Sequence, residues 1–216
     1  MSSVTRSSRQ LPGNEGETHE GLCHPRPSSP GLLQPAIAAE SAALLRNAGH
    51  RVIIHDLYRE QFDPLLLHNE IPRNAPLPPA IALHCREIAA ADGIVFVHPD
   101  WWGMPPAILK GWIDRVLRPG VAYRFAETDA GEGIPVGLLS AQAVLVFNTS
   151  NTPAEREQEV FGDPLERVWK DCIVSFCGVP RFHRRMFGVV VTSTEEQRKA
   201  WLDEVREITR DTFPSS

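Results

Sequence analysis

The chain has 216 residues, 42% hydrophobic and 23% charged, with a formal net charge of −5 at pH 7. That length holds one domain with a full core and excludes two large ones, and the acidic balance excludes a general nucleic-acid binder, whose surface carries a basic excess. No apolar run reaches the roughly eighteen residues of a membrane span, and the first twenty residues lack the apolar stretch of a secretory signal, so a cytoplasmic location is expected.

Residues 1–21 are rich in Ser, Gly, Glu and Asn without periodicity and read as a poorly ordered arm, leaving 22–216 as one domain. Pro35 to Ala48 has helical spacing, stopped by Gly49. Arg51 to His55 reads as a strand. A proline-punctuated loop from Pro64 to Pro79 leads into a helix from Ala80 to Ala90. Gly93-Ile94-Val95-Phe96-Val97 is a short apolar run of the kind buried in parallel sheets. It stops at Pro99 and delivers Trp101 and Trp102 into a turn. A helix then opens at Pro105-Pro106, with Ile108, Leu109, Trp112, Ile113, Val116 and Leu117 on one stripe and Lys110 and Asp114 as an i,i+4 pair.

Pro119 to Ser140 reads as a long glycine-containing loop. Ala143 to Phe147 is a second buried strand, ending in the polar turn Asn148-Thr149-Ser150-Asn151. Asp163-Pro164-Leu165-Glu166 is a capping box that starts a helix reaching about Cys177. Phe187 to Val191 reads as a strand, and Thr194 caps a terminal helix to Phe213. Strands alternating with helices give an α/β fold with a parallel sheet covered on both faces. The four cysteines, Cys23, Cys85, Cys172 and Cys177, show no CxxC spacing and read as reduced thiols.

Two adjacent tryptophans at the carboxyl end of a buried strand stand where open α/β sheets bind ligands, although tryptophans are also common core residues. Ser28 and Ser29, ahead of the first helix, read as an anion trap to which His24 adds a donor; the alternative is a plain turn. His84, His98 and His183 are scattered and read as structural or solvated. His19, Cys23 and His24 fit no standard zinc spacing, so no metal is expected.

Pro99, Trp102, the run PAILKGWIDRV from Pro106 to Val116, and AYRF from Ala122 to Phe125 together resemble the NAD(P)H:quinone oxidoreductase family of flavodoxin-like flavoproteins, which includes bacterial modulator-of-drug-activity and potassium-efflux ancillary proteins. The resemblance implies a three-layer fold with a five-stranded parallel sheet in the order 2-1-3-4-5. It implies a bound flavin, FAD with FMN as the alternative, and hydride transfer from NAD(P)H as co-substrate to a quinone or similar small electrophile. It also implies a homodimer. Pro99, Asp100, Trp101, Trp102 and Gly103 would form the flavin wall, with Trp102 at the flavin-contacting position. Asn148, Thr149, Ser150 and Asn151 would bond the polar edge of the ring, and His24, Ser28 and Ser29 the phosphates. Tyr123 and Phe125 match aromatics that close the pocket from the partner subunit, which makes them, with Trp102, the catalytic candidates.

The chain departs from the family pattern in several places. Residues 17–23 have almost no strand character where relatives carry an apolar first strand, and Pro30-Gly31 replaces the usual aromatic-Asn pair. Gly103 stands where many relatives carry an aromatic, and Pro153 to Phe161 lacks the Tyr and His of the best quinone reducers. The altered first strand and phosphate loop favour a second reading, a flavodoxin-like protein with impaired cofactor binding that serves as an ancillary subunit of a transporter.

Overall fold

The structure is a computed structural model and describes residues 33–126 and 133–214. In chain order its elements are α1 (Leu33–Asn47), α2 (Pro79–Ala90), β1 (Gly93–Pro99), α3 (Ala107–Val116), β2 (Tyr123–Phe125) and β3 (Pro135–Gly137). There follow β4 (Ala143–Thr149), α4 (Ala154–Phe161), α5 (Pro164–Arg167) with a π-helical turn over Val168–Val174, β5 (Arg181–Phe187) and α6 (Glu195–Thr212). The expected arm, the stretch 17–23 and the loop with His24, Ser28 and Ser29 lie outside the described residues.

β4 is buried along its whole length, and the period-2 alternation of a strand sends its side chains to two cores. Val144 and Val146 meet Ile94, Leu109, Trp112, Ile113 and Trp169 on one face. Leu145 and Phe147 meet Ile37, Phe187, Trp201 and Val205 on the other. β4 pairs in parallel with β1 (Gly93↔Ala143 to Pro99↔Thr149) and with β5 (Ala143↔Arg181 to Thr149↔Phe187). The sheet order is therefore β1-β4-β5, with α1 and α6 on one face and α2, α3 and α5 on the other. This three-strand order agrees with the last three positions of the expected order 2-1-3-4-5.

The structure differs from the sequence reading in four elements. Among the described residues Arg51 to His55 pairs with no strand, and Ile53 and Ile54 are exposed; a strand needs a ladder partner, and its expected neighbour, the stretch 17–23, lies outside them. The last strand ends rather than begins at Phe187. The apolar run after it is a loop, tied back by Val190 N–H to the Ser150 carbonyl (3.1 Å) and Val191 N–H to Asn151 Oδ1 (2.9 Å). The stretch 119–140 holds an antiparallel pairing of β2 with β3. Finally, α4 forms where no helix was expected.

The loop before α2 is fixed onto α3. A Cβ at Gly111 would lie 2.2 Å from the Pro64 carbonyl oxygen, so only glycine admits the loop here. Arg115 then grips buried Glu70 with two parallel bonds, Nε to Oε2 at 2.9 Å and Nη2 to Oε1 at 2.6 Å. Arg118 Nη2 donates to the Glu70 and Pro72 carbonyls at 2.7 and 3.0 Å.

Candidate functional site

The turn after β1 is sewn to β4 by Asp100 N–H, which donates to the Thr149 carbonyl at 2.7 Å. Trp101 and Met104 exchange both backbone bonds, at 3.0 and 3.1 Å, across a two-residue turn. Its central residues both have positive φ, Trp102 at +61° and Gly103 at +70°, the geometry of a type I′ turn. Asp100 Oδ1 accepts the Gly103 N–H at 2.9 Å and holds the turn closed. A Cβ at Gly103 would come within 2.5 Å of the Pro164 ring, so no side chain has room here on this backbone.

A left-handed conformation costs a non-glycine residue about 1–2 kcal/mol, and Trp102 adopts it without any packing return. Its side chain is 98% exposed and that of Trp101 58%. Trp112, Trp169 and Trp201 are the core tryptophans; Trp101 and Trp102 are not. Two indoles thus stand in solvent at the carboxyl edge of a parallel sheet. Their flat faces, and the Trp102 N–H left without a partner among the described residues, suit a planar heteroaromatic ring.

Beneath the turn, His98 is 3% exposed. The Trp169 indole N–H bonds its Nε2 at 3.0 Å, which leaves the proton on Nδ1, 2.7 Å from the Pro99 carbonyl. Burial pushes its pKa down to about 4, so the ring is neutral. His84 repeats the arrangement, its Nδ1 accepting from Trp112 Nε1 at 3.0 Å. His55, Glu60 and His84 bring three potential ligand atoms within 4.8 Å of one another. The Trp112 bond places the His84 proton on Nε2, facing Glu60 at 3.4 Å, which assigns His84 to a hydrogen-bond network.

The polar turn after β4 is largely committed within the chain. Asn148 is fully buried, and its Oδ1 accepts from Arg184 Nε at 2.9 Å. Thr149 Oγ1 accepts from Gln34 Nε2 at 2.7 Å, and Ser150 Oγ from the Thr152 N–H at 3.0 Å. Asn151 holds Val191, as described above. Arg184 also pairs with Asp163 (2.8 Å) and Glu166 (3.2 Å). Burial raises the Asp100 carboxyl above its ordinary value, against the pull of the Gly103 amide and Arg184, and burial raises that of Glu157 as well. Sequence reasoning gave no sign of Arg184, because every partner it has is more than fifteen residues away.

Tyr123 and Phe125 form an edge-to-face cluster with Phe176, at ring separations of 5.6 Å to each other and 4.8 and 6.4 Å to Phe176. Phe176 was not singled out from the sequence. This cluster sits where Gly137 abuts Gly178 and Leu139 N–H bonds the Cys177 carbonyl, just ahead of β4 and β5. It lies at the amino edge of the sheet, whereas Trp101 and Trp102 lie at the carboxyl edge. Seven strand residues, about 20 Å, separate the two edges.

Residues 22–209 match a family model described as a flavodoxin-like fold. The chain is 32% identical to an uncharacterized NAD(P)H oxidoreductase of Haemophilus influenzae over 183 residues, covering 82% of this chain and 87% of that protein. It is 30% identical to NAD(P)H dehydrogenase (quinone) 1 of Rattus norvegicus, covering 66% of this chain and 59% of that protein. Among solved structures, Smu.1420 of Streptococcus mutans is similar with a TM-score of 0.72 and 26% identity, covering 87% of this chain and 95% of the other. NAD(P)H:quinone oxidoreductase from Methanothermobacter marburgensis has a TM-score of 0.74 at 24% identity, covering 85% and 93%, and supports the fold.

Proposed function

Because the chain belongs to the flavodoxin-like family, we propose that it is a flavin-dependent NAD(P)H oxidoreductase that passes hydride from NAD(P)H to a quinone or similar small electrophile. The observation that carries this reading is the exposed Trp101-Trp102 pair, held in a strained turn at the carboxyl edge of the sheet. A bound flavin supplies the two-electron chemistry, and the chain supplies binding and orientation. Trp102 and Trp101 offer the stacking wall, Pro99, Asp100 and Gly103 fix its angle, and the main chain of Asn148 to Asn151 lines the adjoining edge. His24, Ser28 and Ser29 take the phosphates. We take residues 22–216 as one flavin-binding domain, outside which 1–21 form an arm, and the location as cytoplasmic. The order β1-β4-β5 supports a five-stranded sheet in the order 2-1-3-4-5, for which we take the stretch 17–23 as the first strand.

We take the flavin as FAD, with FMN as the alternative, as the resemblance implies. We take the protein as a homodimer; the placement of Trp102 and Tyr123 at opposite edges of one sheet supports a pocket that Tyr123 and Phe125 close from a second copy. The relatives carry enzyme names, which lend no support to the ancillary-subunit reading.

The test is NADPH oxidation by the purified protein with a soluble quinone, alongside flavin content. Turnover that requires bound flavin and falls with Trp102→Ala supports the reading. A flavin-loaded protein that oxidises neither NADH nor NADPH in the presence of quinone contradicts it.

A further inference from the structure

One side chain ties together the two turns that border the proposed ring site. Arg184 lies in β5, and its side chain is 5% exposed. Nε donates at 2.9 Å to Oδ1 of fully buried Asn148, where β4 runs into the turn 148–151. Nη1 donates to Asp163 Oδ2 at 2.8 Å, between α4 and α5, and to Glu166 Oε2 at 3.2 Å, within α5.

From Asp163 the contact passes on to the tryptophan turn. The next residue, Pro164, packs its ring on Gly103, where a Cβ would lie 2.5 Å from Pro164 Cγ. Gly103 directly follows Trp102, and its N–H is held by the Asp100 carboxyl group at 2.9 Å. Asp100 N–H in turn donates to the carbonyl of Thr149, the neighbour of Asn148, at 2.7 Å. The circuit closes, with Arg184 as the only side chain that reaches across it from β5.

Two observations separate this circuit from ordinary packing. Gln61, Trp102 and Asp163 are the non-glycine residues with positive φ among the described residues. Two of them, Trp102 at +61° and Asp163 at +45°, stand immediately before Gly103 and Pro164, the residues in contact. Such backbone persists only where its surroundings hold it, and it gathers at functional sites. The guanidinium is also a poor source of stability. Arg184 Nη2 and Asn148 Nδ2 are buried donors with no acceptor among the described residues. Unmet buried donors cost stability, and an apolar side chain of similar volume often serves a core as well as a buried ion pair does. What the apolar side chain lacks is a rigid fork of N–H groups that holds two partners at a set separation.

We propose that Arg184 is a positioning residue that sets the separation and tilt of the Trp101-Trp102 turn relative to the turn 148–151, and through them the affinity for the flavin ring. The inference deepens the flavoprotein reading and rests on it. Buried Arg184 acts through Asn148 on one side and through Asp163 and Pro164 on the other.

The test compares Arg184→Lys, Asp163→Asn and Glu166→Gln in protein that carries 5-fluorotryptophan. Lysine keeps the charge and loses the fork. Asp163→Asn keeps an oxygen for the Glu166 N–H and removes the carboxylate that Nη1 bonds. Glu166→Gln removes the other ion pair and leaves the circuit whole, so it reports what the loss of an ion pair does by itself. Fluorine NMR of the flavin-free protein should show the Trp101 and Trp102 resonances displaced in the first two variants and in place in Glu166→Gln. Affinity for FAD and FMN should fall about tenfold in the first two and hold in the third. Trp101 and Trp102 resonances that stay in place in Arg184→Lys and Asp163→Asn, or that move equally in Glu166→Gln, overturn the proposal, and so does an unchanged flavin affinity in Arg184→Lys. The resonances are read without flavin, so the two readings separate. A protein that takes up no flavin while these resonances respond as expected sinks the flavoprotein reading and leaves the positioning of the two turns standing.

Discussion

The indole N–H of Trp169 donates to His98 Nε2 at 3.0 Å, between two fully buried rings directly beneath the turn that carries Trp101 and Trp102. This bond fixes the tautomer, and the tautomer fixes the turn, because the Nδ1 proton is then free to bond the Pro99 carbonyl. His98 is therefore a support for the turn and not an acid or base.

The support titrates. The folded-state pKa of about 4 lies below the ordinary 6.5, so between these values the unfolded chain binds a proton that the folded chain refuses. Stability from this residue is fully present above about 6.5 and is lost as pH falls toward 4, a difference of about 3 kcal/mol. His98→Gln keeps an acceptor for Trp169 and removes the titration. Urea denaturation of both proteins should show the wild-type advantage shrinking across that interval as pH falls; parallel stability curves would contradict the assignment.

Trp102 gives a prediction in which stability and binding move in opposite directions. Trp102→Gly relieves the positive φ without removing any packing, so the unfolding free energy should hold or rise by up to about 1 kcal/mol. Flavin affinity should fall by on the order of a few kcal/mol as stacking area is lost. Titration calorimetry with FAD and FMN, beside thermal unfolding, separates the two. A less stable variant with unchanged flavin affinity would make Trp102 a packing residue.

The sequence read well where burial and element type agree. β1 and β4 are short apolar runs between turn residues, α3 carries a clean apolar stripe, and the Asp163 cap bonds the Glu166 N–H at 3.2 Å as its spacing implies. β5 was missed because its sequence, RFHRRMF, is cationic. Two of its arginines are neutralised only in three dimensions, Arg184 by Asp163 and Glu166 on one face and Arg185 by Glu204 of α6 on the other. The apolar run just after it drew the strand to the wrong place. At the site, the two exposed indoles were legible. The commitment of Asn148 and Thr149 to partners 36 and 115 residues away was not, since no local pattern encodes such contacts.

Glu70 and Arg115 form the buried pair that pins the loop before α2 onto α3, at 2% and 4% side-chain exposure. Removing one partner leaves the other charged and buried, so Glu70→Ala should destabilise the protein by about 3–5 kcal/mol. Denaturant midpoints test this, and a loss below about 1 kcal/mol would mean that water reaches the pair.

The opposite-edge placement of Trp102 and Tyr123 makes the proposed dimer testable by complementation. Tyr123→Ala should alter acceptor kinetics and spare flavin content. When Trp102→Ala and Tyr123→Ala subunits are exchanged at random, half of the dimers are mixed and each regains one intact pocket, about a quarter of wild-type activity in all. Activity that never exceeds the average of the two parents would place both residues in one chain's pocket.

The most direct measurement is the visible spectrum of the purified protein before and after anaerobic NADPH. The flavoprotein proposed above should show a flavin band near roughly 450 nm that bleaches on reduction and returns when quinone is added. A colourless protein that takes up neither FAD nor FMN would contradict it.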